Sequence, residues 1–203
     1  MAVRCAGIIL AGGRNIRMDG QPKGRLRIAG KSFLDRIAAA VGTCTGELIL
    51  VTRDPEHYVD WPFRIVEDVF QVRSPLSGIH AGLLHMDAEV AFVSSCDTPF
   101  LHPAVVRMLI DQTDDTSDIV VPASGTYFQP LCAVYSRVCV RLIERQLSRG
   151  DPKVDHLFDE ARVKSIAYEQ LQSVDPQLNS FFNVNTPSDL AAAVTMQDDP
   201  VNG

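Results

Sequence analysis

Arg14, Arg17 and Lys23 stand within a stretch running from Leu10 to Gly24 that opens on Ala11-Gly12-Gly13. Glycines placed directly after an apolar run let the backbone pass close to a ligand and turn its N–H groups toward phosphate oxygens. Arginine neutralises such oxygens with paired hydrogen bonds, lysine as a point charge. A nucleoside triphosphate is the ligand this chemistry suits; a glycine-rich surface turn with a solvated basic face is the plainer alternative. Two familiar phosphate loops are excluded by spacing. A Walker A loop needs G-x-x-x-x-G-K-[ST], but Lys23 precedes Gly24, and Gly30-Lys31 sits one residue too far from Gly24. Gly12-Gly13 lacks the G-x-G-x-x-G of a dinucleotide fingerprint.

The acidic candidates are separated in sequence. Val90 to Ser95 is an apolar run that delivers Asp97 to its end, followed by Thr98-Pro99. A carboxylate there is placed to hold Mg²⁺ against phosphate oxygens; equally, it fits a turn or a helix cap. Asp68, in Val66-Glu67-Asp68, follows another short apolar run and by itself reads as a solvated loop residue. Asn183 and Asn185, two apart, would share one face of an extended segment and could bond a polar substrate or close a metal site.

These residues need elements to position them. Buried strands are expected at Gly7–Leu10, Leu48–Thr52, Arg64–Glu67 and Val90–Ser95, with further strands at Leu26–Ile28, Ile119–Ala123, Leu131–Val134, Lys164–Tyr168 and Phe181–Val184. Ser32 and Asp35 have capping-box spacing and start a helix through Val41. Further helices are expected over Ser77–Met86, from Pro103 to about Thr113, over Val138–Ser148 stopped by Gly150, and over Ser188–Met196. Strands alternating with helices, several apolar on both faces, predict an α/β fold: a three-layer, mostly parallel Rossmann-like sheet with helices on both faces. No linker or repeat divides residues 1–196, which read as one domain, and 197–203 read as a frayed polar tail.

Composition narrows the class. A net charge of -6 argues against nucleic-acid binding. Cys5, Cys44, Cys96, Cys132 and Cys139 form no C-x-x-C pair, so neither a zinc site nor a disulfide framework is expected. No signal pattern or membrane-length apolar run is visible, which predicts a soluble cytoplasmic protein with no membrane partner.

The Leu10–Gly24 stretch, L-A-G-G-x(3)-R-M-x-G-x-x-K-G, resembles the signature of nucleotidyltransferases that activate sugars and cofactors, most closely the molybdenum cofactor guanylyltransferases. Cys96-Asp97-Thr98-Pro99 resembles that family's metal-binding segment, and Ser74-Pro75-Leu76-Ser77-Gly78-Ile79 its G-P-L-x-G-I loop, with serine for the first glycine. Phe181 to Pro187 matches its F-x-N-x-N-T-P motif, and Gln129-Pro130-Leu131 a further segment beside the cofactor. The resemblance implies the nucleotidyltransferase fold and transfer of GMP from GTP to molybdopterin or Mo-molybdopterin with Mg²⁺, alongside other cofactor-biosynthesis proteins. It places the nucleotide on Leu10, Ala11, Gly12, Gly13, Lys23, Asp68 and Asp97, and Mg²⁺ on Asp97. Catalysis would rest on Lys23, Arg17 and Asp97, and the acceptor on Asn183, Asn185 and Gln129. The chain departs from the pattern at Asp19, where glycine is common, and at Thr52, where asparagine is common; Thr52 is not taken as a site residue. A cytidylyltransferase of the same cofactor, which tends to carry aspartates in place of the asparagines, and a non-catalytic nucleotide-binding homologue are the alternatives.

Overall fold

The computed structural model describes residues 4–12, 22–68, 70 and 72–197. The strands are β1 (Cys5–Leu10), β2 (Arg27–Ile28), β3 (Lys31–Ser32), β4 (Glu47–Val51), β5 (Arg64–Val66), β6 (Val90–Ser95), β7 (Ile119–Ser124), β8 (Tyr127–Phe128), β9 (Cys132–Ser136) and β10 (Val163–Ala167). The helices are α1 (Phe33–Gly42), α2 (Pro75–His85), α3 (Pro103–Asp111), α4 (Cys139–Ser148), α5 (Leu157–Glu160), α6 (Tyr168–Leu171) and α7 (Pro187–Gln197).

The main sheet runs β10-β7-β9-β6-β1-β4-β5, with β8 paired to β7. β6, β1, β4 and β5 are mutually parallel, as are β7 and β10; β9 runs against both its neighbours. The expected mostly parallel sheet is present, with one reversed strand inside it. Alternation along each strand explains why both faces are covered. Ala6, Ile8 and Leu10 of β1 join Ile49, Val51, Ala91 and Val93 on one face, which α2 and α4 cover through Ile79, Leu83 and Ile143. Cys5 and Ile9 join Leu48, Leu50 and Phe92 on the other, covered by α1 and α3 through Ile37, Val41, Val105 and Leu109. Each hydrophobic face therefore has its own helical layer, the arrangement a parallel sheet requires.

Local signals set the helix ends. The Ser32 hydroxyl accepts from the Asp35 N–H while Asp35 accepts from the Ser32 N–H, the expected capping box. α2 begins two residues earlier than expected, because Ser74 caps it and Pro75 supplies a preset first turn. Gly150, at φ 77°, ends α4: its N–H reaches the Leu147 carbonyl and the Asp151 N–H the Gln146 carbonyl, a pairing that needs a left-handed residue. α2 lies so close to β1 that a Cβ on Gly82 would meet Ile8 Cγ2 at 2.6 Å.

One expected strand does not form. Asn179–Phe181 is a 3₁₀ turn, and among the described residues 182–186 pairs with no strand. The apolar residues there serve a separate small cluster: Val184 packs with Leu26, Ile28, Phe33 and Ala193, and Phe182 lies edge-on to Phe100. Among its backbone groups, the Val184 N–H donates to the Asp97 carbonyl at 2.8 Å, fastening this segment to the end of β6. Cys5, Cys44, Cys96, Cys132 and Cys139 are all free thiols, four of them buried. No described helix is long and apolar enough to cross a membrane.

Candidate active site

β6, β1, β4 and β5 are parallel and side by side, so their C-terminal ends share one edge, where ligands of open α/β sheets bind. A cleft of about 490 Å³ opens along that edge. Its floor is the end of β1: Leu10 accepts from the Cys96 N–H at 3.0 Å, and the Ala11 N–H donates to Val51 at 2.8 Å. At Gly12 no described residue lies within 4 Å of where a Cβ would stand. Leu10, Ala11 and Gly12 thus line the cleft as a strand end held on both sides.

At the β6 end, three predicted residues converge. Lys23 begins a short 3₁₀ turn after Pro22, and this turn is anchored by Arg25, whose guanidinium bonds the His57 carbonyl and pairs with Asp60. The Lys23 ammonium lies 3.1 Å from Asp97 Oδ2 and donates to Asn185 Oδ1 at 2.6 Å. The other Asp97 oxygen accepts from the Ser95 hydroxyl at 2.5 Å. The neighbouring Cys96 thiol is pushed up to about 12, mainly by burial and then by the Asp97 charge, so it stays protonated and is no nucleophile.

At the β4–β5 end, Asp68 is almost fully buried and committed to the protein. Its carboxylate accepts from Arg53 Nη2 at 2.8 Å, from the Ser77 hydroxyl at 2.6 Å and from the Phe70 N–H at 3.0 Å. Arg53 Nη2 also reaches the carbonyls of Phe70 and Val72, the latter at 2.9 Å. The two protons of this guanidinium nitrogen are therefore shared among three acceptors, and Asp68, Phe70 and Val72, between β5 and α2, are clamped against the end of β4.

The other expected site residues are placed as follows. Arg17 and Gly13, with Asp19, lie outside the described residues. Asn183 is exposed and donates to the Phe181 carbonyl at 3.1 Å, away from the cleft lining. Gln129 does not line the cleft, although Leu131, two residues on, does. Thr52, Arg53, Asp54 and Arg73, none of them expected as site residues, line the cleft. Their one trace in the sequence is a position just past β4 or before α2; that this edge is the ligand edge beside β1 follows only from the strand order.

The model of the MobA-like NTP transferase domain matches residues 7–165, most of the chain, including the C-terminal ends of the strands that form the cleft. The chain belongs to that family. This nucleotidyltransferase is 40% identical to a molybdenum cofactor guanylyltransferase of Desulfosudis oleivorans over 187 residues, covering 92% of this chain and 93% of that one. Its fold superposes on molybdopterin-guanine dinucleotide biosynthesis protein A from Archaeoglobus fulgidus with a TM-score of 0.83 at 26% identity, covering 95% and 98% of the two chains. It also matches the fold of a nucleotidyl transferase from Methanothermobacter at a TM-score of 0.73 and 18% identity, covering 95% and 97%. Asn185 and α7 lie beyond the stretch the family model spans, yet Asn185 meets Lys23.

Proposed function

We propose that this nucleotidyltransferase moves GMP from GTP onto the terminal phosphate of molybdopterin, or of its molybdenum-loaded form, and releases pyrophosphate. The observation that carries the reading is the meeting of Lys23, Asp97 and Asn185 at the mouth of a cleft floored by Leu10–Gly12, in a chain so similar to a molybdenum cofactor guanylyltransferase. An acceptor phosphate oxygen attacks the α-phosphorus; the bond from that phosphorus to the bridging oxygen breaks, and the electron pair leaves with pyrophosphate. A phosphate monoester is already anionic, so no base need remove a proton. The protein's task is to align two anions and offset their repulsion. Leu10, Ala11 and Gly12 would seat the nucleotide, and Lys23, with Arg17, would turn to the β- and γ-phosphates.

The site fits Mg²⁺. Asp97 Oδ2 and Asn185 Oδ1 already face one cation, the Lys23 ammonium, and both are hard oxygen donors. No group of three or more His, Cys, Asp or Glu suited to a metal occurs among the described residues, consistent with an ion that takes its remaining ligands from phosphate and water. Asp97 and Asn185 would hold the ion, whose charge would offset that of the reacting phosphates.

Calorimetric titration with GTP, CTP and ATP, with and without Mg²⁺, followed by pyrophosphate release on adding molybdopterin, tests the reading. Mg²⁺-dependent preference for GTP and acceptor-dependent release are expected. Preference for CTP would move the chain to cytidylyl transfer, and binding without release would make it a non-catalytic homologue.

A further inference from the structure

If the phosphates lie toward Lys23 and Asp97, the base lies toward the ends of β4 and β5. Most polar side chains there are already committed. The Thr52 hydroxyl is buried between the Ala11 carbonyl and the Asp54 N–H. Arg53 and Asp68 hold each other, and Ser74 caps α2. Two cleft-lining side chains remain: the Asp54 carboxylate and the Arg73 guanidinium have no hydrogen-bond or ion-pair partner among the described residues, the Asp54 bond to Thr52 being from its backbone N–H. Asp54 occupies the cap position of the 3₁₀ turn Pro55–Tyr58 without capping it, so its carboxylate keeps its full accepting capacity. Arg73 is exposed on the segment that Arg53 clamps through the Val72 carbonyl. The two are opposite in charge and line one cleft, yet they do not pair with each other.

Guanine matches such a set. It presents two neighbouring donors, N1–H and the N2 amino group, and then two neighbouring acceptors, O6 and N7. A carboxylate accepts from the first pair and a guanidinium donates to the second, each in a two-bond geometry. Adenine and cytosine offer a carboxylate no such pair of ring and amino donors, and both place an amino group where guanine has O6 or its equivalent. We infer that Asp54 and Arg73 determine base specificity, Asp54 reading N1–H and N2 and Arg73 reading O6 and N7. The inference rests on nucleotide occupying this cleft as proposed above, and it assigns base choice to two side chains in addition to backbone groups.

The test is titration of wild type, Asp54→Asn and Arg73→Gln with GTP, CTP, ITP, 7-deaza-GTP and XTP, each with Mg²⁺. Wild type should bind ITP, which lacks the N2 amino group, and 7-deaza-GTP, which lacks N7, about tenfold more weakly than GTP. Asp54→Asn exchanges one acceptor for a donor, so it should come to prefer XTP, whose C2 carries a carbonyl. Arg73→Gln should bind GTP and 7-deaza-GTP alike. A gain of XTP binding is not an effect that damage to the fold produces. If wild type prefers GTP but Asp54→Asn keeps its preference for GTP over XTP, or Arg73→Gln still rejects 7-deaza-GTP, this inference fails and the proposed function stands. If wild type shows no preference for GTP over CTP, both fall.

Discussion

The ammonium of Lys23 bridges Asp97 and Asn185, at 3.1 Å and 2.6 Å, and so joins the turn before β2 to the segment before α7. A positive charge already sits where two oxygens await a cation. Asp97→Asn keeps the shape and removes the charge. Transfer should fall by about 10²–10³-fold with Tm little changed, read by initial rates and thermal melts. Full activity in that variant would overturn the assignment of Asp97.

Lys23→Met should weaken GTP binding by at least about tenfold, since a charge-assisted contact to phosphate is lost. It should also let the nucleotide-free protein take up Mn²⁺ more tightly than wild type, because the resident cation is gone. Titration followed by electron paramagnetic resonance reads this directly; unchanged Mn²⁺ affinity would show that Lys23 does not compete for those oxygens.

Arg53 and Asp68 act as one unit, so their replacements should not add. Arg53→Met and Asp68→Asn should each cost about 1–3 kcal/mol of stability and raise the KM for GTP, while the double variant costs little more than either. Additive losses in a denaturant-based double-mutant cycle would mean that the clamp on the 68–74 connection is not carried by this pair.

Gly82→Ala places a methyl group against Ile8, where 2.6 Å is available. Overpacking of this kind costs about 1–3 kcal/mol. A chain of this length should lose about 2–4 °C in Tm for each kcal/mol, measured by calorimetry. An unchanged Tm would show that α2 can lift from β1 without penalty.

Asp118, buried at the start of β7, is gripped by the Arg162 guanidinium at 2.7 and 3.0 Å just before β10. That pairing, against the opposing effect of burial, holds its carboxyl below the ordinary value of 3.8. With the folded value depressed, this contribution to stability is complete above the ordinary value and is lost as pH falls through the folded one. Unfolding measured below pH 3.8 should therefore be less steeply acid-dependent in Arg162→Met than in wild type.

The strand ends around Leu10 and Asp97 were readable because a contiguous apolar run stops at the residue that matters, so pattern and chemistry coincide. Arg53, Asp54 and Arg73 were not, because their importance depends on β4 and β5 lying beside β1, and strand order leaves no mark on any single segment. The reversal of β9 is hidden for the same reason: alternation reports faces, not direction. Phe181–Val184 misled because an extended apolar run looks alike whether it joins a sheet or, as here, plugs a small cluster beside α7. Gln129 and Asn183 fall two residues from ones that do meet the site, Leu131 in the cleft lining and Asn185 on Lys23, an offset that only side-chain direction reveals.

The bond from Lys23 to Asn185 spans 162 residues. During synthesis Lys23 emerges well before its counterpart. A chain interrupted before Asn185 could still form most of the sheet and would lack one wall of its working centre. Ligand that bridges Lys23 and Asn185 would in turn spend part of its binding free energy holding α7 in place, so occupancy should protect α7 from proteases more than it protects the strands.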